Sequence, residues 1–95
     1  MSTFGSKLNP YIKDPNATLD YIVNWLPYLG VDTIASDTWT VPSGITSVLE
    51  TNTTTTSTIW LSGGTLGTRY ALTNRVVTAG GRTDDRTIYV KVKER

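Results

Sequence analysis

The side chains that could carry chemistry in this sequence are carboxylates, hydroxyls, lysines and arginines, because its 95 residues include no histidine and no cysteine. This composition removes thiol nucleophiles, imidazole acid–base catalysis and nearly every ordinary zinc, copper or iron site. Asp84 and Asp85 lie beside two arginines, but opposite charges among turn-forming residues are typical of a solvated loop. Asp32 and Asp37 lack the ligand spacing of a calcium loop. We therefore expect no catalytic residue, no bound metal and no cofactor.

The glycine-rich segment 63–67 is the other motif that could suggest a chemical role. A phosphate-binding loop requires a following Lys-Ser or Lys-Thr pair and then a helix, and the sequence has neither at this point. We interpret the segment as a turn in which Gly63 and Gly64 supply positive φ angles. The sequence thus favours a binding protein and argues against an enzyme.

Short runs with a period of two make up most of the chain. Leu19, Tyr21, Val23 and Trp25 share one face of a first strand, which indicates a strand buried on one side. Further strands are predicted over 33–41, with a bulge within 35–37, and over 45–50, 51–61, 67–78 and 86–93. Their spacing of roughly 8–12 residues, with turn signals between them, is typical of a sandwich. We predict an all-β, immunoglobulin/fibronectin-III-like β-sandwich of six to seven strands.

Two polar residues are expected to have structural roles inside this sandwich. Asn74 falls on the inner face of the strand at 67–78, where a buried amide needs hydrogen-bond partners and would act as a polar pin. Tyr70 resembles the tyrosine corner of immunoglobulin-type domains, whose hydroxyl bonds to nearby backbone. The three tryptophans are expected to pack in one core.

The chain divides into an extended N-terminal arm over residues 1–18 and an immunoglobulin-like domain over residues 19–95. The arm carries two prolines, at positions 10 and 15, and only a few apolar side chains. Spaced apolar residues in an arm, and charged residues in an exposed loop such as 79–85, are both suited to protein contact. The candidate partner contacts are Phe4, Leu8, Tyr11, Ile12, Arg82, Asp84, Asp85 and Arg86.

Charge is distributed unevenly along the chain. Up to Thr68 there are two lysines against five acidic residues, whereas from Arg69 onward there are seven basic residues against three acidic ones. Interspersed basic residues are common on solvated strands, so we expect no nucleic-acid binding. The asymmetry also suggests self-association, in which one copy's basic edge meets a neighbour's acidic end. With no secretory signal and no run near ~20 apolar residues, we expect synthesis in the cytoplasm and no membrane partner.

Most of the chain from Asp14 resembles a family of small virion structural proteins of tailed bacteriophages, of the fibre–tail adaptor type. The motifs that carry the resemblance are, in order, residues 14–15, 19–21, 25–26, 32–34, 39–44, 60–64, 73–78 and 81–86. The resemblance implies a non-enzymatic virion protein, made in the cytoplasm of the bacterial host. Its partners would be other virion proteins, namely tail, fibre or major capsid protein.

Three functions are compatible with the resemblance and the composition. The first is an adaptor that joins tail and fibre or tail-tip components. The alternative is a capsid cement or decoration protein, which would stabilise the assembled head by binding only its lattice. The third is a carbohydrate-binding module for host recognition, which requires exposed aromatic residues in a row, drawn from Trp25, Trp39 and Trp60.

Overall fold

A computed structural model describes residues 11–94 and shows an all-β fold of two sheets. Seven strands and one single-turn helix make up these residues, which confirms the predicted immunoglobulin-like β-sandwich. Their bounds are β1 Tyr11–Lys13, β2 Leu19–Asn24, α1 Leu26–Leu29, β3 Ile34–Thr40, β4 Ile45–Asn52, β5 Thr56–Gly63, β6 Arg69–Thr78 and β7 Thr83–Val92.

The four-stranded sheet has the order β1-β7-β6-β3, and the three-stranded sheet has the order β2-β5-β4. All pairings are antiparallel except that of β1 with β7, which is parallel. The sheets face each other through alternate side chains of their strands, since a strand presents every second residue to one face. The fully buried apolar side chains of this core are Val23, Trp25, Ile59, Leu61, Leu72, Val76, Ile88, Val90 and Val92.

Three local features agree with the predictions made from the sequence. The register of β3 against β6 shifts between Ile34 and Ser36, so the predicted bulge is confirmed. Gly63 and Gly64 have φ angles of 72° and 101°, as a turn that needs glycine requires. The hydroxyl of Tyr70 accepts the backbone N–H of Thr65 at 2.9 Å, in the manner of a tyrosine corner.

The threonine run contains a turn, and the prediction of one continuous strand over 51–61 is therefore wrong. The chain reverses between β4 and β5, and Thr53 stabilises the reversal locally. Its hydroxyl oxygen accepts the backbone N–H groups of Thr55 at 3.2 Å and Thr56 at 3.0 Å. A short hydroxyl side chain can form such a turn as well as suit a strand, so β-branching alone did not decide the outcome.

The first described residues lie on the four-stranded sheet, although the sequence assigned them to the arm. Tyr11–Lys13 pairs with Val90, Lys91 and Val92 of β7. Lys13 is fully buried, and its ammonium group donates to the carbonyl of Gly63 at 2.7 Å. Burial lowers the pKa of Lys13, because desolvation disfavours the charged form. The lysine thus ties β1 to the end of β5.

The tryptophans occupy different environments, so the prediction of one shared core is wrong for Trp60. Trp25 is fully buried, and Trp39 packs partly buried against the core. Trp60 alternates with the buried residues Ile59 and Leu61, and therefore lies on the outer face of the three-stranded sheet.

Trp25 is held by the buried Asn74, whose side-chain oxygen accepts the indole N–H at 2.8 Å. The Asn74 amide in turn donates to the carbonyl of Thr38 at 3.1 Å. Asn74 therefore has the structural pinning role that the sequence predicted. It joins the edge of the four-stranded sheet to the segment that follows β2.

Candidate partner interface

Three connections meet at one end of the sandwich. The backbone N–H of Trp25 donates to Thr55 at 2.8 Å, and that of Ile34 donates to Thr54 at 2.9 Å. The N–H of Ala79 donates to Thr33 at 2.8 Å. These bonds join the α1 segment to the β4–β5 turn and to the β6–β7 turn. We call this region, residues 25–33, 53–55 and 78–82, the loop end.

The carboxylate of Asp32 organises the loop end. It accepts hydrogen bonds from the hydroxyl of Thr78, from the backbone N–H of Thr33 at 2.9 Å and Gly80 at 3.0 Å, and from the guanidinium of Arg82. Because all of these bonds favour the ionised form, they lower the pKa of Asp32 from 3.8 to about 2, with the Thr78 bond contributing most. The loop after α1 is therefore fixed against the β6–β7 turn.

Arg82 and Arg86 add cation–π contacts to this arrangement. The guanidinium of Arg82 lies 4.6 Å from the ring centre of Tyr28 and donates to the carbonyl of Leu29 at 3.1 Å. The guanidinium of Arg86 lies 4.7 Å from the ring centre of Trp25. Both arginines thus use their charged groups to hold the α1 segment on the four-stranded sheet.

Acid is expected to loosen the loop end, because the Asp32 bonds require an ionised carboxylate. The pKa of Asp32 is lower in the folded chain than in the unfolded chain, so its stabilisation is present above about pH 4 and lost as the pH falls toward about 2. Asp32→Asn should remove this dependence and increase amide exchange at Gly80 and Thr33.

Hydrogen exchange and denaturant unfolding between these pH values would measure the effect. Asp85→Asn is the matched control, since the pKa of Asp85 is also lowered, by its bond to Arg75, but this pair lies on the sheet. Equal protection of Gly80 in the wild type and in Asp32→Asn at neutral pH would contradict the assignment.

The loop end presents apolar side chains to solvent on a fixed backbone. Val31 is completely exposed, and Leu26 is about half exposed. Val31 stands between Gly30, which has a φ of 63°, and the anchored Asp32. A hydrophobic side chain on a preorganised loop suits binding to an apolar pocket, because little conformational entropy is lost on association.

Of the charged residues predicted as contacts, Arg82 belongs to the loop end, and Arg86 reaches it from β7 through its guanidinium. Asp84, Asp85 and Arg86 belong to β7, because the β6–β7 ladder continues to the pair Val77 and Thr83. The carboxylate of Asp85 is held by Arg75 through two bonds, of 2.8 and 3.0 Å. The arginine that holds the Asp85 carboxylate is therefore ten residues away in sequence, on the neighbouring strand.

The predicted arm contacts fall into three groups. The ring of Tyr11 packs 5.2 Å from that of Tyr21, near the core. Ile12 lies next to Lys91 and points outward from the four-stranded sheet. Phe4 and Leu8 lie outside the described residues.

The sequence analysis missed an apolar surface on the outside of the three-stranded sheet. Ile22, Val48 and Leu49 are each about half exposed there, beside Trp60. Ile22 gave a signal, because it shares the outward parity of Asp20 and Asn24. Leu49 gave none, since its outward position depends on a register shift in β4.

Two further observations concern the described residues. Within 11–94, no three carboxylate, histidine or cysteine side chains come together in a group that could hold a metal ion. None of the helical structure in that part of the chain has the length and apolar character needed to cross a membrane.

A known protein family matches most of the chain. A family model described as podophage GP4 fiber-tail adaptor protein gp77 matches residues 13–91. The matched range begins within β1 and ends within β7, so it includes both sheets and the loop end. No curated protein matches the chain.

Proposed function

We propose that this chain joins the tail of the particle to a fibre or tail-tip protein, because the chain belongs to the podophage fibre–tail adaptor family. It would be a non-enzymatic virion component, made in the cytoplasm of the bacterial host. The observation that supports this role is the loop end, where a fully exposed Val31 stands on a backbone fixed by Asp32. A rigid apolar contact of this kind is what a permanent joint requires.

The arm is the second contact in this proposal. Its residues Phe4 and Leu8 would reach a neighbouring protein, while Ile12 extends the contact onto the four-stranded sheet. At the loop end, Arg82 would line the rim around Val31, as a charged residue commonly does around an apolar centre. Asp84, Asp85 and Arg86 would contribute through the adjoining part of β7.

The carbohydrate-binding alternative receives less support from the structure. A carbohydrate-binding module would present tryptophans in a row, but Trp25 is fully buried and Trp39 packs against the core. Trp60 lies on the outer face of the three-stranded sheet, whereas Trp39 belongs to the four-stranded sheet. A capsid cement protein would use the same type of fold, and its location on the head is what distinguishes it from an adaptor.

A substitution at Val31 tests the loop end as the contact with a partner. In a phage lacking the wild-type gene, a plasmid copy carrying Val31→Asp should give particles with at least tenfold fewer fibres, because a charge would be buried in an apolar contact. Val31→Leu keeps the apolar character and should restore normal fibre number. Fibres would be counted by negative-stain microscopy, and normal counts with Val31→Asp would contradict the use of this end.

A further inference from the structure

We propose that copies of this chain associate head to tail, with the outer face of the three-stranded sheet packed on the outer face of the four-stranded sheet of the next copy. The inference concerns contact between copies and does not depend on the proposed adaptor function. It rests on an apolar surface, on the strand register that creates this surface, and on the charges of the two faces.

The apolar surface lies across all three strands of the smaller sheet. Leu49 on β4 is directly opposite Trp60 on β5, and Ile22 on β2 is opposite the neighbouring position, Thr58. Ile22, Val48 and Leu49 are 52–53% exposed. A contiguous apolar surface of this kind on the outside of a sheet is typical of a protein interface.

A bulge in β4 turns Leu49 outward. Ile45 and Ser47 face the core side, and an unbroken alternation would place Leu49 on the same side, opposite Ile59. The register instead shifts between Ser47 and Leu49, so Leu49 pairs with Trp60. A bulge on an edge strand such as β4 hinders pairing with another edge, but it does not require a leucine to face solvent. The outward leucine has a physical reason if a partner covers the surface.

The charges on this sheet are acidic. Strands β2, β4 and β5 contain no lysine or arginine. Of their two acidic residues, Glu50 lies opposite Ile59 on the core side, whereas Asp20 lies on the outer face. Asp20 is exposed and lies directly opposite Trp60, on the side away from Leu49. The face therefore combines an apolar centre with a negative charge on β2.

The outer face of the four-stranded sheet has the complementary character. Arg69 and Lys91 lie directly opposite each other and make this part of the face positive. The guanidinium of Arg69 lies 4.5 Å from the ring centre of Tyr89, which is in turn opposite the exposed Ala71. This face offers an apolar and aromatic surface with positive charges.

Charge complementarity selects the orientation of the contact. Two copies that met through the same face would place like charges together, whereas unlike faces place Asp20 near Arg69 and Lys91. A contact between unlike faces leaves one free face of each kind, so it continues into a closed ring or an open filament.

Mixing of two blocked variants tests this arrangement. Leu49→Lys blocks the acidic face, and Lys91→Glu blocks the basic face. In sedimentation experiments on the full chain, the wild type should assemble with increasing concentration, and each variant alone should assemble at least tenfold more weakly. A mixture should form a 1:1 dimer and stop there, because each variant keeps the face that the other lacks. Ile22→Lys is a second blocking variant should Leu49→Lys fail to fold.

Leu66→Lys is the matched control, since it adds the same charge at an equally exposed apolar residue in the turn between β5 and β6 and should assemble like the wild type. High salt should weaken the wild-type assembly, because the complementary charges are screened. A wild type that stays monomeric at its highest soluble concentration would overturn the proposal. So would a mixture that stays monomeric, or a blocked variant that assembles like the wild type.

Discussion

The free energy of unfolding is expected to fall by about 4 kcal/mol when Gly64 is replaced by alanine, from backbone strain and overpacking together. The φ angle of Gly64 is 101°, which side-chain-bearing residues rarely adopt. A Cβ atom at this position would also lie 2.7 Å from Cγ2 of Val92, which is fully buried. Val92 must therefore shift to admit the methyl group, and its β-branched side chain has few rotamers with which to do so.

Gly63→Ala is the control that separates the two causes. Gly63 also has a positive φ, of 72°, but an added Cβ would meet no atom within 4 Å. Its replacement by alanine should lower the free energy of unfolding by only about 1–2 kcal/mol, which is the cost of backbone strain alone. Denaturant unfolding of both variants measures the difference, and equal losses would contradict the role assigned to Val92.

Asn74→Leu is expected to cost about 3 kcal/mol, because each buried polar group left without a partner costs about 1–3 kcal/mol. The substitution removes the acceptor of the Trp25 indole N–H and the donor to the carbonyl of Thr38. Thr73→Ala, at the preceding outward-facing position, should cost less than half as much, since its hydroxyl bond is exposed.

A double-mutant cycle tests whether Asn74 acts through Trp25. Trp25→Phe removes the indole N–H that Asn74 accepts. The double variant should therefore lose less free energy of unfolding than the sum of the losses of the two single variants. Additive losses in the free energy of unfolding would show that Asn74 stabilises the sandwich by some other route.

Most of the fold could be predicted because strand alternation and turn residues are local properties. Strand β2, the bulge in β3, the paired glycines and the inward position of Asn74 all follow from residue type and parity. The single turn of α1 did not, because four residues show no helical period; the proline near its start suits the first turn of a helix. The threonine turn was missed because a threonine side chain can support either a strand or a turn.

The candidate interface was much less predictable, because long-range pairing determines it. Arg82 lies beside two aspartates in sequence, yet it bonds to Asp32, fifty residues away. Asp85 bonds to Arg75 across the β6–β7 ladder. The parallel pairing of β1 with β7 is likewise non-local. The apolar surface around Leu49 depends on a register shift that no local residue pattern predicts.

The most direct test of the adaptor function is the location of this protein on the intact particle. Immunogold labelling of the phage, with antibody against the full chain, should place gold at the tail, where the fibres attach. Gold spread over the head would contradict the adaptor function and would instead support a capsid cement protein.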